Sequence, residues 1–204
     1  MADITAALTA SAAAFPGTPG DAVDRFLAAA DRESLVDVAV APVDAPFGRL
    51  WVAVTARGLV RVAYDSYDDV LADLARRVSP RVLDAPAKAD DVRRQLDDWF
   101  AGRRTGFDLA LDFTLVRSEF QRRVLAAAAA IPYGGRRTYG EVATAAGNPR
   151  AVRAAGSALG ANPLCVVVPC HRVLRAGGGL GGYAGGLAVK QWLLDAEGSR
   201  TLRP

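Results

Sequence analysis

The sequence predicts an α+β protein: a small N-terminal α/β unit followed by a mostly helical half that contains a helix-turn-helix. Three observations carry this prediction. Residues 47–65, "FGRLWVAVTARGLVRVAYD", alternate apolar and other side chains with a period of two on either side of Ala56-Arg57-Gly58, as two strands joined by a turn would. Residues 66–78 and 89–102 carry apolar residues at helical spacing. Beyond residue 113 the helix starts and stops are marked by capping signatures and glycines.

Taken in order, residues 1–42 form an Ala-rich leader broken by "FPGTPGD", with one short helix expected in "DAVDRFLAAADRESL". The N-terminal α+β unit is expected over 43–113 and the C-terminal unit over 114–204. In the first, Leu50, Val52 and Val54 face one way and Trp51, Ala53 and Thr55 the other; Val60 and Val62 repeat the alternation. Val70, Leu71, Leu74 and Val78 mark one helix, and Val92, Leu96, Trp99 and Phe100 a second that stops at Gly102. "FDLALDF", residues 107–113, alternates like an edge strand.

In the second unit "SEFQ" is a Ser-x-x-Gln capping box opening "EFQRRVLAAAAA", and "TYGE" is another opening "YGEVATAAG". Gly147 closes that helix, Asn148 is placed to cap the next, and Pro149 suits its first turn. "RAVRAAGSALGAN" follows, so a short helix, a tight turn and a second helix stand in the order of a helix-turn-helix. An αα-hairpin that only packs has the same outline. The second helix presents Ala154, Gly156 and Ser157 beside Arg150 and Arg153, too few long donors to read a major groove but little bulk to keep it from a minor groove.

Charge separates the halves. Residues 1–113 hold 13 Lys and Arg against 18 Asp and Glu, a balance of −5; residues 114–204 hold 12 against 4, a balance of +8. A basic half attached to an acidic one suits a polyanion partner. No apolar run approaches the ~18 residues of a membrane span, and no secretory signal is visible. The two cysteines, five positions apart, make a poor disulfide framework, and one histidine with no CxxC leaves no His/Cys metal site. The expectation is a cytoplasmic, reduced, monomeric protein without membrane or obligate protein partner.

The sole histidine, His171, directly follows Cys170 in "VVVPCHRVLR". Pro169 removes a backbone donor, so the β-branched run is expected to end as a strand there. A free thiol near pKa ~8.5 is a few per cent thiolate at neutral pH, so a neighbouring base or cation is needed to activate it. Side chains of adjacent strand residues point to opposite faces, which favours a bridging water over a direct Cys170–His171 bond. Cys165 reads as a buried structural cysteine. The segment 175–186 has seven glycines in twelve residues and one aromatic, Tyr183. It lacks a phosphate-loop signature and suits close approach to a flat ligand.

These stretches together resemble the methylated-DNA–protein-cysteine methyltransferases, the O6-alkylguanine-DNA alkyltransferases. The resemblance runs through "PFGRL", "GLVRV", "FQRRVL", "IPYGGRRTYGEVA", "NPRAVRAAGSALGANP", "VPCHRV", "GGYAGGLAVKQWLL" and "EG", roughly residues 43–200, most densely after 118. It implies a ribonuclease H-like N-terminal domain and a winged-helix-like C-terminal domain. It also implies repair of double-stranded DNA, bound through the minor groove with the alkylated base flipped out. The alkyl group would pass irreversibly, once per molecule and without cofactor, from O6-alkylguanine, with O4-alkylthymine as a second candidate.

By the same resemblance Cys170 is the acceptor, His171 its base and Glu197 the acidic partner. Asn162 is the hinge between recognition helix and acceptor segment, Tyr139 acts on the 3′ phosphate and the departing guanine, and Lys190 supports the site. Arg153 is the finger that fills the vacated stack, with Arg150, Ala154, Gly156 and Ser157 along the DNA-facing helix. Leu159, Val173, Tyr183, Ala184 and Gly185 line the base pocket. Leu125 stands where many members have Trp, and Ala184 where some have Ser. Two other readings share the residues: a lesion-binding module without chemistry, and a cysteine hydrolase.

Overall fold

The structure, a computed structural model, describes Arg25, Ala29 and residues 35–199. Those two residues aside, the short helix expected in the leader lies outside them. The described residues from Asp37 onward belong to one compact unit.

Three strands come first: β1 (Val38–Ala45), β2 (Gly48–Thr55) and β3 (Gly58–Ala63), paired antiparallel in sequence order. Helix α1 (Tyr67–Arg77) then leads to β4 (Val82–Asp84), which lies parallel to β1, so the sheet order is β3-β2-β1-β4. A 3-10 turn (Pro86–Ala89) precedes α2 (Asp90–Phe100). The two strands and two helices expected from periodicity are present. Ser66 caps α1, its hydroxyl accepting from the Asp69 N–H, and Asp68 and Asp69 sit where the helix N-terminus favours negative charge. Val70 and Leu74 of α1 pack on Val38, Val40, Ala53 and Val60 of the sheet, together with Leu115.

Strand β1 crosses the expected leader boundary at 42/43. It was hidden because Val38 to Ala41 are all buried, and a strand covered on both faces reads as an apolar run rather than an alternation. Pro42 is tolerated because β4 pairs only with Val38 to Val40, beyond which this side of β1 is an edge. The expected edge strand 107–113 is a correction: it forms a single bridge, Leu111 to Leu59. Gly58 lets it approach, since a Cβ there would lie 2.2 Å from the Ala110 carbonyl.

The second half holds α3 (Glu119–Ala129), β5 (Arg137–Thr138), α4 (Tyr139–Ala145), α5 (Val152–Gly160), β6 (Val173–Leu174) and α6 (Leu187–Ser199). Ser118 caps α3, but the Gln121 side chain accepts from the Arg117 N–H, so only half of that expected capping box forms. The Thr138–Glu141 box is complete. Gly147, at φ +84°, closes α4. Asn148 does not cap α5 with its side chain; that helix begins at Val152, and the Asn148 carbonyl accepts from Ala151 N–H. Helices α3, α4 and α5 pack on one another, and α4 and α5 form the expected helix-turn-helix. No helix among the described residues is long and apolar enough to cross a membrane.

A backbone contact ties the acceptor segment to the sheet. Val62 N–H on the β3 edge donates to the Pro163 carbonyl at 2.8 Å, and Val62 bridges Leu164. The segment leading to Cys170 therefore hangs on the sheet.

Candidate active site

The run "CVVVP" does not form a strand, a second correction to the sequence reading. Val167 N–H donates to the Cys165 carbonyl at 2.9 Å around Val166, whose φ is +71°. Cys170 N–H donates to the Val168 carbonyl at 2.8 Å around Pro169, at φ −80° and ψ 61°. Both are γ-turns, and the first, with positive φ on a β-branched residue, is the strained kind. A 3-10 turn (Cys170–Arg172) follows and runs into β6. The proline ends no ladder here; it shapes a turn that lifts Cys170 out of the segment.

Asn162, just past the end of α5, organises that turn. Its Nδ2 donates to the Val168 carbonyl at 2.9 Å and to Cys170 Sγ at 3.1 Å, and its Oδ1 accepts from Leu164 N–H at 2.9 Å. The Cys165 thiol lies 3.4 Å from the Asn162 carbonyl. The Cys170 thiol is pushed below its ordinary value, by the neighbouring Cys165 thiol first and then by the Asn162 amide bond and the Lys190 charge, against burial.

His171 and Glu197 are both buried, and His171 Nε2 lies 2.8 Å from Glu197 Oε1. Burial would raise the Glu197 carboxyl, but hydrogen bonds from His171 and Arg172 and their charges hold it at about 2. An ionised carboxylate only accepts, so Nε2 carries the imidazole proton and Nδ1 keeps a bare lone pair. Nδ1 is buried and has no hydrogen-bond partner. Burial also pushes His171 below its ordinary value, outweighing Glu197, so the ring is neutral near pH 7. Arg172, absent from the sequence reading, donates to Glu197 through Nε and Nη2 and to the Ile131 carbonyl through Nη1. Gly134 N–H donates to Glu197 at 3.2 Å, and the Arg136 guanidinium stands 3.6 Å away. The signal for Arg172 was a charge inside an apolar run.

An open cavity of about 640 Å³ reaches Cys170. Of the expected residues, Tyr139, Arg153, Gly156, Ser157, Leu159, Tyr183 and Ala184 border it. Arg150 and Ala154 are exposed nearby but do not border it. Val173 and Gly185 do not line it either, a further departure from the expected pocket: Val173 is fully buried, its carbonyl accepting from Lys190, and Gly185 lies under the Tyr64 ring, where a Cβ would come within 2.7 Å.

Lys190 is buried, its Nζ donating to the carbonyls of Val173, Leu180 and Gly182, which pins the glycine-rich loop onto α6. Burial lowers its pKa. Gly181, at φ +69°, is needed there, since a Cβ would sit 2.5 Å from the Tyr139 hydroxyl. Burial pushes Tyr139 up, so it holds its proton. The Tyr183 hydroxyl lies 2.8 Å from that of Tyr64, at the end of β3, a partner that sequence reasoning missed. Exposed Val152 and Arg175 also border the cavity.

A fold that is half sheet and half helical and offers a buried cysteine to an open cavity defines a class: a protein with a thiol set against a helix-turn-helix. The comparisons with known proteins agree. The ribonuclease-like domain of 6-O-methylguanine DNA methyltransferase matches residues 39–113, and the DNA-binding domain of the same enzyme matches 119–199. A methylated-DNA–protein-cysteine methyltransferase of Methanosarcina acetivorans is 50% identical over 109 residues, 53% of this chain and 69% of that protein. Its counterpart in Mycolicibacterium paratuberculosis is 56% identical over 103 residues, 50% of this chain and 61% of that protein. The crystal structure of Mycobacterium tuberculosis O6-methylguanine methyltransferase superposes with a TM-score of 0.71 at 37% identity, covering 82% of this chain and 96% of that one. A structure of the same organism's protein in complex with DNA gives 0.69 at 38% identity, covering 79% and 93%. The chain belongs to the methylated-DNA–protein-cysteine methyltransferase family.

Proposed function

We propose that this protein repairs DNA by moving an alkyl group, methyl in the simplest case, from O6 of a guanine onto Cys170, once per molecule. The observation that carries the reading is a sulfur at an open cavity, beside an imidazole whose buried Nδ1 is free to take a proton. The target carbon lies inside the duplex, so the nucleotide is flipped into the cavity at a cost of a few kcal/mol. Helix α5, with small exposed Ala154 and Ser157, lies against the minor groove, and Arg153 fills the gap left in the stack. Its rim neighbour Val152 adds an apolar contact.

Within the cavity the Cys170 proton passes through a water to Nδ1, with Glu197 stabilising the imidazolium. The sulfur lone pair forms the S–C bond as the C–O6 bond breaks, and the bonding pair leaves on the guanine. Tyr139, which burial keeps protonated, donates to the developing anion. The product thioether is a poor leaving group, so the thiol is not regenerated. Two free cysteines agree with a reducing, cytoplasmic setting.

Incubation with a duplex bearing O6-methylguanine, followed by intact-mass measurement, tests this. One added methyl on Cys170, and none in Cys170→Ala, is the expected result. Tight lesion binding without a mass change would replace the reading with a lesion-binding module, and repeated turnover of an ester with a hydrolase. Arg153→Ala should slow transfer from duplex DNA about tenfold while leaving reaction with the free base unchanged; equal slowing of both would remove the finger role. Binding should weaken steeply as salt rises.

A further inference from the structure

Two cavities of this molecule share a wall, and the wall is thin. The first, of about 640 Å³, reaches Cys170. The second, of about 270 Å³, lies on the side of Tyr64 and Cys165. Gly160 and Ala184 border both. A wall made of a glycine and an alanine has little bulk of its own, so its position depends on what stands behind it.

Tyr64 stands there. Its ring lies against Gly185, where a Cβ would come within 2.7 Å. Its hydroxyl lies 2.8 Å from that of Tyr183, and the two rings meet edge to face with centroids 5.7 Å apart. Among the described residues the Tyr183 hydroxyl has no other hydrogen-bond partner. Burial pushes both hydroxyls up, so both keep their protons and one donates to the other. Tyr183 borders the first cavity and meets the His171 ring edge to face, with centroids 6.4 Å apart. Lys190 pins the loop at Leu180 and Gly182, which leaves residues 183–185 to Tyr64. Tyr64 is itself braced. Its ring packs on Phe47, which stands edge-on to Phe100 of α2 and Trp192 of α6. It follows β3 directly, two residues beyond Val62, whose N–H bonds the Pro163 carbonyl.

We infer that Tyr64 is a positioning residue that sets the size of alkyl group the acceptor site admits: its hydroxyl fixes the Tyr183 ring beside the flipped base, and its ring holds Ala184 and Gly185 forward against the cavity. The inference rests on the alkyl-acceptor reading of Cys170. A residue of the sheet half thereby limits the chemistry of the helical half. Without the Tyr64 ring, residues 183–185 have room to retreat, and the second cavity opens into the first.

The test is single-turnover transfer from duplexes bearing O6-methylguanine or O6-butylguanine, read by intact mass. It compares wild type, Tyr64→Phe, Tyr64→Ala, Tyr183→Phe and the double variant Tyr64→Phe/Tyr183→Phe. Phosphate contacts set the affinity for the duplex, whereas the wall acts on the flipped base. The limiting rate should therefore change while the half-saturating DNA concentration stays within about twofold. Tyr64→Phe should lower the methyl rate about fivefold, the worth of one neutral hydrogen bond. Tyr183→Phe removes the same bond, so the double variant should be no slower than either single one. Tyr64→Ala should raise the butyl-to-methyl rate ratio about tenfold, whereas Tyr64→Phe keeps the ring and should leave the ratio near that of wild type. If Tyr64→Ala does not fold, Tyr64→Leu, which also lacks ring and hydroxyl, should shift the ratio in the same direction. A Tyr64 that only supports folding would lower the fraction of protein that reacts and leave the rate constant and the ratio unchanged. That result would overturn the inference, as would single effects that add in the double variant. Wild type that takes no alkyl group from either duplex would remove the acceptor reading and this inference with it. Reactive wild type with variants that match it would remove the inference alone.

Discussion

Each half of this molecule buries a carboxylate, and the two do different work. Asp112, beside the sheet, accepts from the Thr55 and Thr114 hydroxyls, from Thr114 N–H and from the Arg57 guanidinium. Burial would raise its pKa, but these bonds hold it below the ordinary range. Its partners stitch residues 110–114 onto the turn between β2 and β3. Glu197 is held down in the same way, yet one of its donors is an imidazole whose other nitrogen has no partner. A buried charge alone is thus no sign of chemistry. Asp112 stands in a closed set of bonds, whereas the Glu197 set ends on a nitrogen that can take a proton.

Replacing the two carboxylates should separate these roles. Glu197→Gln carries the largest expected effect. Leaving Arg172 buried without its counter-charge should destabilise the fold by about 3–5 kcal/mol. Loss of the anion beside His171 should slow methyl transfer by about 10²-fold, read by single-turnover mass analysis of the folded fraction. Transfer at the wild-type rate would put Glu197 in the same structural category as Asp112.

Acid should distinguish the halves next. Imidazolium has no lone pair, so transfer should fall about tenfold per pH unit below the His171 midpoint. Burial lowers that midpoint, so the acid limb should lie below the ordinary histidine value of 6.5. Stability has the same sign. The unfolded chain protonates its histidine first, so the His171 contribution is present above about 6.5 and is lost as pH falls below it. The carboxylates act lower. Their contributions are present above about 4.5 and are lost as pH falls, for Glu197 down to about 2. An acid limb above 6.5 would remove the neutral-base argument.

Asp112→Asn should cost about 1–3 kcal/mol, measured by urea unfolding, because it disturbs a buried hydrogen-bonded set. The rate of the folded protein should not change; a slowed rate would extend the active site into the sheet. The smallest effect belongs to Asp44→Ala. The Asp44–Arg49 pair has side chains 80% and 58% exposed, so its loss should shift stability by less than about 1 kcal/mol.

Much of the site was legible in local patterns, because the acceptor, its base and the glycine-rich loop lie in one short stretch and Cys170 directly precedes His171. Helices α1 and α2 were legible because each keeps one face in water, which leaves a period in the sequence, and β2 and β3 because they flank a short turn at Gly58. Strand β1 was not, since burial on both faces erases the alternation. Arg172 and Tyr64 escaped notice because their partners, Glu197 and Tyr183, are 25 and 119 positions away.

What the sequence determined by itself was the inventory and its local order: the α+β class, the helix-turn-helix and the Cys170–His171 pair, all set by neighbours a few residues apart. Only the tertiary structure decided which nitrogen of His171 is free, that the β-branched run before Cys170 turns instead of extending, and that the Asn162 amide meets the Cys170 sulfur. Those outcomes depend on burial and on hydrogen bonds closed between distant elements, and no local pattern encodes the distance between a donor and an acceptor that the fold alone brings together.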